Sequence, residues 1–306
     1  MVGNDTQLGY RHEFAAHEFD EILACYHAHG FALVRGMAPE DIVADLREAV
    51  GEVLGSADLS APGPNRTTPD FVERSEKALR LLDAHAYVEL NQRLFATSAL
   101  TLHRSFAVLK QAGSAPVEWH RDFHHLVDEQ PSEPDEFLDS GDAGVRALWY
   151  LDGSYPNEGG LWLIPDSHVE GWPGLPGFAF TSGRKSFHRI GEPAANYDRF
   201  DAPQMLPLVI DPGDLLLYSF KTYHAATAQA AGLRRACAII LRPSEPAIEV
   251  PWAETEATRR FLATIPDRFA GFVRNYVGID YGWQREDDRG LIREPARARR
   301  WPRARR

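Results

Sequence analysis

The sequence predicts a mainly β fold with helical decoration, a double-stranded β-helix (jelly roll) with helices at its N-terminal and C-terminal ends. Three observations predict it. Short β-type runs follow residue 101, at 104–111, 117–123, 145–151, 160–164, 206–210, 214–220 and 234–241, separated by Gly, Pro, Asp and Asn clusters. No repeated helix lies between them, which argues against a parallel βαβ sheet. No internal repeat and no clear linker divides the chain, so residues 1–306 read as one domain.

Ahead of the strands, Phe19, Ile22, Leu23 and Tyr26 recur at helical spacing, and Gly30 stands where a helix stops. Residues 31–34 read as a short strand. Pro39 can open a second helix with Ile42, Leu46, Val50 and Val53 as its apolar stripe. Residues 56–69 are rich in Pro, Gly, Ser and Asn and read as a loop. A further helix is predicted around 86–95. The N-terminal helical part thus covers about 12–100, the jelly-roll core about 101–243, and C-terminal helices about 253–276. An arginine-rich tail, 293–306, closes the chain. Two gaps between strands, 128–144 and 166–203, have the length of lids or binding loops.

Lys and Arg number 33 against 44 Asp and Glu, a formal net charge of −11. That balance disfavours a general nucleic-acid or anionic-membrane surface. Two cysteines, Cys25 and Cys237, are too few for a disulfide framework or a thiolate zinc site. The first ten residues lack the apolar core of a signal peptide, and no run approaches the roughly 18 apolar residues of a membrane helix. A cytoplasmic protein with a small-molecule substrate is expected. Neither a membrane nor a nucleic-acid partner is expected, and oligomeric state leaves no mark in the sequence.

Chemistry concentrates in Glu118-Trp119-His120-Arg121-Asp122-Phe123. In a strand, residues i and i+2 share a face, so His120 and Asp122 can reach one point. One more imidazole would complete a set of two histidines and a carboxylate that leaves three cis positions open on iron(II). A closed structural zinc site would ask for four protein ligands. Among twelve histidines, His224 has the best context, since Pro212-Gly213-Asp214 introduces an apolar strand that ends just before it. His124 shares the strand face of the pair and suits an outer hydrogen-bonding role. Arg234 and Arg235 open the last strand, and one of them could grip a carboxylate in two-pronged fashion.

Together these residues resemble the phytanoyl-CoA dioxygenase family, which includes ectoine hydroxylases and many natural-product oxygenases. The resemblance runs from about residue 31 to 243. It takes in Trp119-His120-Arg121-Asp122-Phe123, Trp149, and the segment Asn157-Glu158-Gly159-Gly160-Leu161-Trp162-Leu163-Ile164-Pro165-Asp166-Ser167-His168. Pro212-Gly213-Asp214, His224 and Arg235 complete it. The resemblance implies iron(II), 2-oxoglutarate and dioxygen as partners, with His120, Asp122 and His224 on the metal. It assigns Arg235 to the far carboxylate of 2-oxoglutarate and Trp149 to the co-substrate pocket, and leaves His168 as scaffold. Asp166 departs from the family, standing where a glycine is usual, and the acidic insert 128–142 and the basic tail have no counterpart. The activity implied is oxidation of a small polar metabolite or natural-product intermediate with release of succinate and carbon dioxide. Hydroxylation is the default outcome, because Asp122 keeps the carboxylate that halogenases of this type lack, with oxidative cyclisation, desaturation and epimerisation as the alternatives the resemblance leaves open. The alternative is a non-catalytic or cupin-like metal-binding jelly roll, in which the strand arginine has no job.

Overall fold

The structure, a computed structural model, describes residues 8–55, 65–122, 134, 138 and 145–283. The chain opens with β1 (Glu13–Ala15), α1 (Phe19–His29), β2 (Phe31–Arg35) and α2 (Glu40–Leu54). Acidic residues in the first turn of α1 and histidines in its last suit the helix dipole. Gly30 ends α1 with a φ of 77°, a left-handed conformation in which a side chain is strained. A Cβ there would also strike the His168 ring. The helix α2 starts directly after Pro39 and buries Ile42, Val43, Leu46, Ala49 and Val50. Next come β3 (Arg66–Thr68), α3 (Phe71–Arg74), a 3-10 segment at Glu76–Asp83 and α4 (His85–Leu94).

The strands of the roll follow: β4 (Leu100–Gln111), β5 (Val117–His120), β6 (Val145–Tyr150) and β7 (Leu161–Leu163). After a hairpin of β8 (Phe178–Phe180) and β9 (Phe187–Arg189) come β10 (Leu206–Pro207), β11 (Leu215–Ser219), β12 (His224–Ala226) and β13 (Leu233–Pro243). A last helix, α5 (Glu256–Thr264), and a 3-10 segment at Asp267–Val273 follow. No helix among the described residues is long and apolar enough to cross a membrane.

Seven strands form a major sheet in the order β1-β2-β11-β6-β13-β4-β3, and four form a minor sheet in the order β10-β7-β12-β5. Every pairing is antiparallel except β1 with β2. This is the two-sheet arrangement expected of a jelly roll. Leu148, Tyr150, Leu216, Tyr218, Ala236, Ala238 and Ile240 of the major sheet meet Leu161, Leu163 and Leu206 of the minor sheet in the interior. The alternate residues, among them Ala147, Trp149, Leu215, Leu217, Cys237, Ile239 and Leu241, face α2, α4 and the 3-10 segments in a second core. The outer face of the minor sheet is covered by an aromatic cluster around Trp119, Trp162, Phe187 and Tyr223. Period-2 alternation therefore decides whether a residue of the major sheet faces the roll or the helices.

Three details differ from the sequence reading. Residues 66–68 are not loop but β3, which pairs with β4 opposite Ala107–Leu109; two threonines suffice for three rungs of edge pairing. The gap 166–203 contains the β8–β9 hairpin. Residues 224–226, which the sequence reading left outside any strand, form β12, and His224 opens it.

Trp149 is fully buried on the helix side of β6, not in the interior of the roll. Its ring meets Tyr87 of α4 edge-on with centroids 5.4 Å apart, and the Tyr87 hydroxyl donates to the Ile239 carbonyl. The expectation that Trp149 lines the co-substrate pocket is thus corrected by the phase of β6. Trp149→Ala should lower the unfolding free energy by about 3–5 kcal/mol, measured by urea denaturation. The milder Trp149→Phe should leave 2-oxoglutarate affinity unchanged, and a large loss of that affinity would return Trp149 to the pocket.

Candidate metal centre

β5 and β12 are antiparallel neighbours, and their register sets His120 directly opposite His224. The two ring centroids are 4.3 Å apart. Asp122, just past the end of β5, returns to the same side. Its carboxylate oxygens lie 3.7 Å from His120 Nε2 and 3.9 Å from His224 Nε2. One donor atom from each of the three falls within 4.8 Å of the others, and no other group of His, Cys, Asp and Glu among the described residues does this.

The hydrogen bonds around the rings fix which nitrogens face that point. His120 Nδ1 is 2.8 Å from the Glu118 carbonyl, and His224 Nδ1 is 3.0 Å from the Thr222 carbonyl. A carbonyl can only accept, so each Nδ1 donates and each Nε2 keeps its lone pair for the shared point. Burial, with His120 beside it, pushes the His224 ring down to about 4 against the upward pull of Asp122. Burial alone would raise the Asp122 carboxyl, but the Arg146 guanidinium, followed by the two histidines, holds it well below the ordinary carboxylate range. Both are in the deprotonated forms that bind a metal. Two imidazoles and one ionised carboxylate, with no fourth ligand among the described residues, fit an open iron(II) site better than a closed zinc site.

Deeper in the interior lies a second feature, in which Arg234, one of the two candidate arginines, meets Lys110, which the sequence did not single out. Lys110 and Arg234 are cross-strand partners on β4 and β13. Lys110 is 0% exposed and Arg234 6%. Lys110 Nζ donates to the Thr227 carbonyl at 2.7 Å, and Arg234 donates to the Gly159 carbonyl with its guanidinium 5.0 Å from the Tyr150 ring centroid. The Arg234 Nε is buried and finds no acceptor among the described residues. Burial, and then Arg234, pushes the Lys110 ammonium down to about 8. Two adjacent buried cations with no carboxylate between them among the described residues are costly unless an anion completes them.

Arg235 is not part of this group. Its side chain points to the helix side of β13, where it forms a two-pronged pair with Asp152 at 2.7 and 2.8 Å. Neighbouring strand residues face opposite ways, and the register Ala236↔Tyr150 puts Arg234 inside and Arg235 outside. The structure therefore brings together His120, Asp122 and His224, and separates Arg235 and Trp149 from them. His168 packs on Gly30 with its Nε2 3.3 Å from the His27 carbonyl, a scaffold position. Asp166 holds a φ of 62°, so it keeps the left-handed turn that a glycine would make. His124, the tail 293–306 and all of the insert 128–142 except Pro134 and Leu138 lie outside the described residues.

A jelly roll that presents two histidines and a carboxylate from its interior, with a buried cation pair deeper in, defines the class of non-haem iron, 2-oxoglutarate-dependent oxygenases. Residues 26–236 match the phytanoyl-CoA dioxygenase (PhyH) family, and the chain belongs to that family. Among solved structures it is similar to HygX from Streptomyces hygroscopicus, crystallised with nickel and 2-oxoglutarate. The identity is 18%, the TM-score 0.55, and the match covers 78% of this chain and 93% of that one. EvdO2 from Micromonospora carbonacea var. aurantiaca is 18% identical with a TM-score of 0.52, over 72% of this chain and 89% of its own. The non-heme alpha ketoglutarate dependent epimerase SnoN from nogalamycin biosynthesis is 18% identical with a TM-score of 0.51, over 74% and 83%. At such identities the likeness is one of fold. No curated protein matches the sequence significantly.

The depressed His224 value makes stability depend on pH. An unfolded histidine takes its proton near 6.5, whereas folded His224 does so only at about 4. Between those values the unfolded chain binds more protons, so metal-free protein should lose stability as pH falls from about 6.5 to about 4. Urea denaturation across that window should show a shallower slope in His224→Gln. An unchanged slope would mean that His224 titrates normally.

Proposed function

We propose that His120, Asp122 and His224 hold iron(II), and that Arg234 with Lys110 receives the far carboxylate of 2-oxoglutarate. The enzyme then oxidises a small polar metabolite or a natural-product intermediate. The buried cation pair carries this reading. Thr227, whose carbonyl accepts from Lys110, lies three residues after His224, which is on the order of 10 Å of strand. A five-carbon diacid bound to the metal at one end and to a buried cation at the other spans a comparable length. A metal-binding protein without a co-substrate would have no use for two cations buried at that place.

Bound in this site, iron(II) with 2-oxoglutarate and dioxygen supplies the oxidising power to attack an unactivated C–H bond, with succinate and carbon dioxide as co-products. The chain's own residues bind and orient. Glu118 and Thr222 aim the two imidazoles through their carbonyls. Arg234 fixes the diacid by a charge-assisted contact that lysine alone could not make in two-pronged form. The apolar walls from Leu148, Leu163 and Ala236 keep water from the reacting end. Natural-product relatives of this fold, an epimerase among them, support a substrate of that kind.

Anaerobic titration with iron(II) and 2-oxoglutarate, followed by the weak visible charge-transfer band, tests the reading. The band should require both components and vanish in His120→Ala and His224→Ala. Arg234→Met should weaken 2-oxoglutarate binding by on the order of 100-fold, as loss of a buried charge partner does, whereas Arg235→Met should change it by less than about threefold. The reverse ranking would restore Arg235 as the anchor, and metal binding with no band would remove the co-substrate altogether.

A further inference from the structure

Arg146 has no part in the ligand set, yet it is the cation nearest to it. Its Nε donates to Asp122 Oδ2 at 2.8 Å. The residue is 9% exposed, on the interior face of β6, and its guanidinium stands 4.3 Å from the Phe220 ring centroid and 5.5 Å from that of Phe106. In the sheet, Arg146 is paired with Tyr218 of β11, whose ring meets the His224 ring edge-on at 4.9 Å. The arginine is therefore also held by aromatic rings and strand pairing, besides the carboxylate it touches.

We infer that Arg146 is the positioning residue for Asp122: held against two aromatic rings, it grips one carboxylate oxygen and makes the third ligand position of the metal centre a built anion site. This inference rests on the metal reading above. Asp122 lies past the end of β5, where no strand pairing fixes its side chain. A carboxylate free to turn could offer both oxygens to a metal and fill a position that 2-oxoglutarate needs. A carboxylate with one oxygen engaged by a guanidinium offers the other alone, which is what three open cis positions require. The grip is also electrostatic, because a buried guanidinium attracts any small anion placed against it, not Asp122 alone.

That last property makes the role testable without turnover. Cobalt(II) serves as the metal probe, with its affinity read from its visible absorption. Asp122→Gly should weaken cobalt binding, and sodium formate, a carboxylate small enough for the vacated space, should recover about tenfold or more of the affinity. In Asp122→Gly/Arg146→Met, where the methionine keeps the apolar packing but not the charge, formate should recover nothing. Equal recovery in both proteins would show that the metal alone recruits the anion and would overturn the assignment. Absence of recovery in a folded Asp122→Gly protein would overturn it as well.

Should Asp122→Gly fail to fold, the single variant Arg146→Met decides. Loaded with cobalt, it should bind 2-oxoglutarate about tenfold more weakly than the wild type, with Arg146→Lys in between, and unchanged affinity would contradict the role. Failure of the wild-type protein to bind cobalt at all overturns the metal reading, and this one with it. Normal cobalt and 2-oxoglutarate binding without Arg146-dependent recovery overturns only the role of Arg146.

Discussion

The antiparallel register between β5 and β12 is the constraint on which the rest of the site depends. It sets His120 against His224, and the carbonyls of Glu118 and Thr222, each two residues before its histidine, turn both rings the same way. A slip of one residue would send either imidazole to the aromatic cluster on the outer face of the minor sheet. The register is guarded from both sides. Leu163 of β7 also lies opposite His224, so β12 is pinned between two partners. The interior apolar residues of the major sheet meet that face at the spacing of stacked sheets, about 10 Å.

Charge is then admitted into an apolar interior at two places, each with its own compensation. Asp122 and Arg146 neutralise one another at the metal end, where the guanidinium also has aromatic faces against it. Among the described residues, Lys110 and Arg234 have no carboxylate partner at the other end and are supported by backbone carbonyls and Tyr150. Like charges buried side by side are costly, and in the proposed reading a dicarboxylate bound against them offsets that cost.

Much of this was legible in the sequence, because the two-residue spacing of His120 and Asp122 suggested a shared point even though the strand ends at His120, and the Pro212-Gly213-Asp214 turn marks the approach to His224. The phase of the fully buried strands was not legible. Residues 145–150 are buried on both faces, and Ala236–Leu241 are apolar throughout, so no alternation shows which neighbour points inward. That is why Trp149 and Arg235 were expected in the pocket, whereas it is their neighbours Tyr150 and Arg234 that face the interior of the roll. Lys110 and Arg146 did leave a signal, since Lys110 directly follows the apolar 106–109 and Arg146 is the lone cation of the run 145–150. Such a residue is expensive to bury and usually has a partner. β3 and the β8–β9 hairpin were hidden by the Gly and Pro around them. Their pairing depends on long-range contacts that local composition does not record.

The most direct measurement is a crystal structure of the protein loaded with nickel(II) and 2-oxoglutarate, collected at the nickel edge. An anomalous peak bounded by His120 Nε2, His224 Nε2 and one oxygen of Asp122, with the far carboxylate against Arg234 and Lys110, is the result predicted. A metal bound elsewhere, or a 2-oxoglutarate whose far end meets Arg235 on the helix side of β13, would contradict it.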